Sequence, residues 1–342
     1  MTDSEWAELP ENIKHAIEAG WEYGMPPMAS ALYNRWWQLE TWLRSLVYVE
    51  LKAALGGAWA DALPKPTESR QQREQGFRYM ATPDAANRLA YADVSALFGI
   101  IQDHWNLFEC SLLPKNVWTG RVEELLAIRN RISHCRRPHT DDLVRLEQTL
   151  RDLEGGALIA ASAFNCQEVA DERWTDVVVD GWTRCNHEDA HLIQHAERQY
   201  KTKFKLRWSR RPWAQSPAGM HTVSGVAGYI WHANWFFREG RPFDLRRFWQ
   251  DVEHDLETIL LVCADSPSTV EVSFSALENP HTIADTIGGC FDAVLMNLGH
   301  GHALEDFTQW RKQYADLDPR IQVVTPWSLI DGSIPDVSLF GV

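Results

Sequence analysis

The 342-residue chain has no run of 18 apolar residues, which excludes an evident membrane-spanning helix. Its opening residues, Met1-Thr2-Asp3-Ser4-Glu5, carry neither the basic flank nor the apolar stretch of an export signal, so a soluble cytoplasmic protein is expected. Cysteine is sparse and scattered, with six residues at 110, 135, 166, 185, 263 and 290 and no Cys-x-x-Cys pair, so neither a disulfide framework nor a thiolate zinc site is indicated. Walker-type loops, a Gly-x-Gly-x-x-Gly sequence and a serine in nucleophile-elbow context are also missing, which leaves nucleotide hydrolysis and acyl transfer without a positive sign. No internal repeat or low-complexity tract occurs. Positive charge is short as well: 33 Lys and Arg against 47 Asp and Glu give a net charge of −14. A field of that sign repels phosphate, so any nucleic-acid binding must come from a local basic patch.

What remains is ample core material, 45% hydrophobic residues with 23% charged, in a length that favours two domains. Tryptophan stands out at 17 residues, supplying large rigid side chains for cores, interfaces or base stacking.

The apolar residues Leu32, Trp36, Leu39, Leu43, Leu46, Val47 and Leu51 recur at three- and four-residue steps and predict a long amphipathic helix over 32–54, with Pro26-Pro27 before it and Gly56-Gly57 after it. A second helical segment is expected from Pro83-Asp84 to about Phe108, and a third over 119–136, preceded by Pro114 and ended by Pro138. A fourth follows Thr140-Asp141-Asp142 and is closed by Gly155-Gly156. Beyond it the pattern changes. Val177-Val178-Val179, 203–208, 270–274 and 321–325 read as strands, alternating with helical stretches near 187–200, 244–262 and 281–298. The expected class is α plus α+β: an all-helical unit over 1–156, a linker over 157–170 and a mixed α+β accessory unit over 171–342.

Chemistry concentrates in Arg129-Asn130-Arg131-Ile132-Ser133-His134. On a helical wheel Arg129 falls inside the apolar arc of Val122, Leu125, Leu126, Ile128, Ile132 and Cys135, where a guanidinium is costly unless paired. Glu40 and Glu50, beside or within the stripe of the first helix, are candidate partners, and a purely structural Arg–Glu bridge is one reading. Asn130 and His134 share a face, whereas Arg129 and His134 stand about 140° apart on a regular helix. Convergence on one phosphate then needs the reach of the arginine, a distortion near Ser133, or the same motif from a second subunit across a two-fold axis. Arg129, Arg131, Arg136 and Arg137 place four cations in nine residues with no acid among them. This is either a local attraction for RNA or a solvated basic helix end.

Arg129, Asn130 and His134 match Arg-Asn-x-x-x-His, and on this motif the region from about 28 to 155 resembles the HEPN superfamily of helical, often dimeric proteins, many of them metal-independent endoribonucleases of toxin, anti-phage and RNA-processing systems. Glu40 followed by Arg44 on the long first helix fits the resemblance. It implies catalytic roles for Arg129, Asn130 and His134, support from Glu40, Arg44, Glu50 and Arg131, a homodimer, RNA as partner, no cofactor or metal, and restraint by an inhibitor or activator protein. The side chains suit that chemistry. RNA brings its own nucleophile, the 2′-hydroxyl, so the protein need only take that proton, neutralise charge on phosphorus and protonate the departing 5′-oxygen. An imidazole with an ordinary pKa of about 6.5 can move the protons and a guanidinium can neutralise the charge.

In the second half, residues 198–213 hold seven Lys or Arg and no acid. A strand over 203–208 would send Lys203, Lys205 and Arg207 to one face, with Arg210 and Arg211 following. The stripe reads as an RNA guide together with Arg136 and Arg137, as a dock for an acidic partner, or as a plain edge strand guarded by lysine. His187, His191 and His195 lie four apart, a spacing that can share a metal, yet nothing completes the shell and a hydrated helix face is the simpler reading; His300 and His302 likewise read as a loop.

Overall fold

The computed structural model describes residues 9–77, 79, 88–216, 221–237, 241–252, 257–299, 307–314, 317–329 and 338–342. The expected helix start at Pro83-Asp84 and the His300–His302 pair lie outside the described residues. Helices α1 (Glu11–Glu22), α2 (Pro27–Leu55), α3 (Pro66–Gln75), α4 (Val94–Asp103), α5 (Trp105–Phe108), α6 (Lys115–Ser133) and α7 (Asp142–Asn165) make up the amino-terminal region. A carboxyl-terminal region follows with α8 (Val177–Trp182), α9 (His191–His195), α10 (Leu245–Asp251), α11 (Pro280–Met296), α12 (Phe307–Lys312) and α13 (Pro326–Leu329) around one sheet. The strands are β1 (Glu168–Val169), β2 (Thr202–Arg210), β3 (Tyr229–Phe237), β4 (Ile259–Ala264), β5 (Thr269–Ser275) and β6 (Ile321–Val323), in the order β1-β2-β3-β5-β4-β6. The chain is thus α plus α+β. Among the described residues no helix is long and apolar enough to cross a membrane.

The stripe read from sequence is the buried face of α2: Leu32, Leu39, Leu43, Leu46 and Leu51 are fully enclosed. Pro27 at its first turn and Gly56 at its C-cap, with φ +57°, bound the helix. Asp93 starts α4 by accepting a hydrogen bond from the Ala96 amide at 2.9 Å.

Three local expectations give way to tertiary context. Val177-Val178-Val179 is helix, not strand, because the buried Asp176 caps it: its carboxylate accepts from the Val178 amide and also from the Val223 and Ser224 amides. The stretch 244–262 is not one helix but α10 followed by β4. Every residue of β4 is buried, since this central strand has packing on both faces and so shows no alternation. Gly155-Gly156 does not end the fourth helix; α7 runs through it to Asn165.

Gly156 instead permits a close crossing, because a Cβ there would stand 2.2 Å from the Ser111 carbonyl oxygen. A Cβ at Gly155 meets nothing within 4 Å. Gly156→Ala is therefore expected to cost about 1–3 kcal/mol in denaturant unfolding, while Gly155→Ala gains up to about 1 kcal/mol from helix propensity. Equal effects of the two would sink this account.

The sheet divides two cores. One face, carrying Trp231, Ala233, Trp235 and Phe237 of β3, packs on α8 and on Ile283, Ile287, Phe291 and Val294 of α11. From the other face Ile230, Leu261 and Cys263 join the core of the helical region, together with Trp327 and Phe340. Between them lies a buried polar chain: Ser209 Oγ to His232 Nε2 at 2.7 Å, His232 Nδ1 to Glu271 Oε1 at 2.7 Å, and Gln167 Nε2 donating to Glu271 Oε2 at 2.7 Å. The spacing is that of a serine-histidine-carboxylate relay. Ser209 and His232 are nevertheless sealed, with the Phe164 ring 4.9 Å from the imidazole. The chain of bonds ties β2, β3 and β5 to the segment after α7.

Candidate active site

Helix α6 follows Pro114 and buries Trp118, Leu125 and Ile128. Its end is built from backbone bonds: the Cys135 amide donates to the Ile132 carbonyl at 3.1 Å and the Arg136 amide to the Arg131 carbonyl at 2.8 Å. This is a Schellman closure with Cys135 in the left-handed region at φ 51°, where glycine is usual. His134 is consequently the C-cap, with φ −103° and ψ 18°, and not a further helical residue.

A clasp holds this turn in place. Arg131 Nε donates to Asp142 Oδ2 at 2.7 Å, Nη2 donates to Oδ1, and the His139 amide adds a third bond to Oδ2 at 2.9 Å. Asp142 is fully buried at the start of α7. Arg131 thus fastens the turn over 134–141, and its guanidinium is committed to Asp142. Burial pushes the Asp142 carboxyl up, yet the Arg131 hydrogen bonds, the His139 amide and the nearby charges outweigh it and hold the group below its ordinary 3.8. A depressed carboxylate contributes stability that is present above its unfolded value and lost as pH falls through the folded one. Asp142→Asn should therefore speed amide exchange over 134–141 at neutral pH and remove part of the stability that the wild type loses below pH 3.8. An unchanged acid limb would contradict the clasp.

Arg129 is half-buried and opens into a groove of about 940 Å³ between α2 and the carboxyl-terminal segment, which Ser133, Glu40 and Arg44 also line. Its Nη1 donates to Asn130 Oδ1 at 3.5 Å. At longer range its charge helps to lower the Asp93 carboxyl, after the Ala96 amide and Arg70 have acted. Glu40 is not its counter-ion: that carboxylate accepts from Trp36 Nε1 at 2.6 Å and pairs with Arg44, whose other arm donates to the Leu89 carbonyl at 2.6 Å. Asn130 and His134 are exposed, and the His134 imidazole makes no hydrogen bond or ion pair with the described residues. The groove lining includes Tyr48, whose phenol burial pushes up to about 12, so it keeps its proton at neutral pH.

Two candidate residues lie elsewhere. Glu50 is not a partner for Arg129, and Arg211 is not an RNA contact. Both are fully buried and paired with each other, with Arg211 Nε to Glu50 Oε2 at 3.0 Å, Trp213 Nε1 to the same oxygen at 2.7 Å, and Arg211 Nη1 to the Ala160 carbonyl at 3.1 Å. Arg136, Arg137, Lys203, Lys205 and Arg210 are exposed. Arg207 is half-buried, its guanidinium 5.8 Å from the Phe236 ring. Lys203, Lys205 and Arg207 pair with Phe236, Asn234 and His232 of β3, so the cationic stripe lies on the side of the sheet turned toward the helical region, with Lys203 and Lys205 left exposed.

The histidine series does not converge. His187 Nε2 is engaged by Asp285 at 3.1 Å and its Nδ1 accepts from the Asp189 amide, while His191 Nδ1 contacts the Glu188 carbonyl. A closer cluster, His139, Asp141 and Asp142, has its carboxylates already taken by Arg145 and Arg131. Sequence reasoning did not find the opposite groove wall, residues 311, 314, 317–323 and 325–327, because its arginines sit in an unremarkable stretch far from the motif.

The family model described as Swt1-like HEPN matches residues 37–154, or 118 of the 342 residues. No curated protein and no solved structure matches the chain. HEPN domains are ribonuclease-like or RNA-binding units. The matched residues include the part of α2 with Glu40 and Arg44 and all of α6 with Arg129, so this region of the chain belongs to the HEPN superfamily.

Proposed function

We propose that the protein is an endoribonuclease that needs no metal, using Arg129, Asn130 and His134, and that it acts as a homodimer. One observation carries this reading. Among the described residues Arg129 lines the groove without an ion pair, and His134, five positions on at the C-cap of the same helix, is exposed and outside the groove lining. A structural arginine would be expected to hold an acid, and an exposed imidazole at the end of the same helix can exchange protons with solvent or substrate.

In the proposed step the RNA 2′-oxygen loses its proton to an imidazole and bonds to phosphorus, while the bond from phosphorus to the 5′-oxygen breaks and that oxygen takes up a proton. The products are a 2′,3′-cyclic phosphate and a 5′-hydroxyl. Arg129 stabilises the phosphorane charge and Asn130 orients the phosphate or the ring. One helix end presents one imidazole, and a two-fold axis would supply the second for simultaneous base and acid roles. Arg136, Arg137, Lys203, Lys205, Arg207 and Arg210 hold the flanking backbone, so the α+β unit from about 171 serves recognition or restraint, with an inhibitor or activator protein as its partner. A stress or anti-phage role in the cytoplasm follows from the family likeness.

The test incubates purified protein with total RNA in EDTA and identifies the ends formed. Cutting that persists in EDTA and leaves cyclic phosphate supports the enzyme. Intact RNA with wild type and a dimeric partner-loaded form alike would move the reading to a non-catalytic RNA-binding or interaction scaffold.

A further inference from the structure

The groove beside Arg129 has a character that its proton chemistry does not require. Four arginines, Arg44, Arg129, Arg311 and Arg320, line it against two carboxylates, Glu40 and Asp318. Each acid is already paired inside the groove, Glu40 with Arg44 and Asp318 with Arg320. The surplus is two positive charges, on Arg129 and Arg311, in a chain of net charge −14. Arg311 is exposed and makes no ion pair with the described residues.

The α2 wall carries aromatic surface to match. Trp37 is 61% exposed and Tyr33 51% exposed, one turn apart on the helix, with ring centroids 6.3 Å apart. These rings face the groove rather than a core, although a buried position would gain more from their apolar area. Local positive charge within a repelling field selects an anion. Exposed aromatic faces beside it select a flat, unsaturated group, and an unpaired nucleotide offers both on one unit. A duplex keeps its bases stacked on each other and presents none to such a platform.

We propose that Trp37 and Arg311 form a subsite for an unpaired nucleotide flanking the scissile phosphate, Trp37 stacking the base and Arg311 holding its phosphate. The subsite rests on the nuclease reading for its place next to the cut, but it binds independently of the chemistry. Because its walls come from the helical region and from the carboxyl-terminal segment, the second half of the chain contributes directly to which RNA enters. Tyr33 extends the platform by one ring.

The experiment uses the full-length protein and a short fluorescent 2′-O-methyl RNA, which has no 2′-hydroxyl proton to lose and so reports binding alone. Trp37→Ala is expected to weaken it on the order of tenfold, Trp37→Phe to restore most of the affinity, and the abasic counterpart of the same strand to bind both proteins equally. Arg311→Gln should weaken both strands and lower the salt slope by about one counterion. Wild-type binding of the base-bearing strand by Trp37→Ala, or equal wild-type affinity for base-bearing and abasic strands, overturns the subsite. If this pattern holds while natural RNA is never cut, only the nuclease reading fails; if cutting proceeds and Trp37→Ala is silent, only the subsite fails.

Discussion

His134→Ala is expected to slow RNA cutting on the order of 10²–10⁴-fold, the usual contribution of a positioned acid or base, while the thermal unfolding curve stays in place. Both halves follow from position. The side chain is exposed and bonded to nothing among the described residues, so its removal exposes no buried partner and opens no cavity. The turn that carries it is closed by backbone amides and the Arg131–Asp142 clasp, none of which uses the imidazole. Arg129→Ala should produce a loss of similar size with a small stability change, and Arg129→Lys should recover little, because a point charge does not reproduce the two-pronged donor geometry for phosphate. Mixing the two inactive variants adds a sharper reading. If each composite site draws arginine and histidine from different protomers, heterodimers regain part of the activity. A His134→Ala protein that cuts RNA at the wild-type rate would remove the histidine from the mechanism.

The largest effect on stability is expected at the Glu50–Arg211 pair. Both side chains are fully enclosed, and Glu50 also takes the Trp213 indole while Arg211 reaches the Ala160 carbonyl and lies 5.7 Å from the Trp327 ring. Glu50→Leu or Arg211→Met leaves the opposite charge buried without its counter-ion, and each should cost about 3–5 kcal/mol. The double substitution Glu50→Leu with Arg211→Met should cost much less than the two together, since the loss in each single variant comes mainly from stranding the other ion. Urea unfolding of the four proteins measures the coupling from their midpoints. Additive losses would show that the pair contributes as two separate groups. As α2 holds Glu50 and the residue after β2 holds Arg211, unfolding of the single variants should also expose the face between the helical region and the sheet.

Much of the helical region can be read directly because burial writes a local period. Leu32, Leu39, Leu43 and Leu46 repeat every three or four residues and are all enclosed, and Lys203 and Lys205 alternate with Phe204 and Leu206 as a strand requires. The same logic misreads elements whose surroundings are not local. β4 is apolar throughout because it is covered on both sides, and an unbroken apolar stretch has no period to distinguish strand from helix. Val177-Val178-Val179 has strand-forming side chains, yet the Asp176 carboxylate starts a helix there while also tying the distant Val223 and Ser224 amides. Gly156 carries a signal whose cause, the approach of Ser111, lies 45 residues away in the chain.

By itself the sequence settled the helical amino-terminal region, the mixed region after it, and the Arg-Asn-x-x-x-His motif at a helix end, since each depends on neighbours within a few positions. Tertiary structure decided which charges are committed. Arg211 and Arg129 look equally free as letters, but one closes on Glu50 161 positions away and the other faces the groove. A charge has no preferred partner until packing brings one within a few ångströms and removes the water between them, and that choice is made by the fold as a whole.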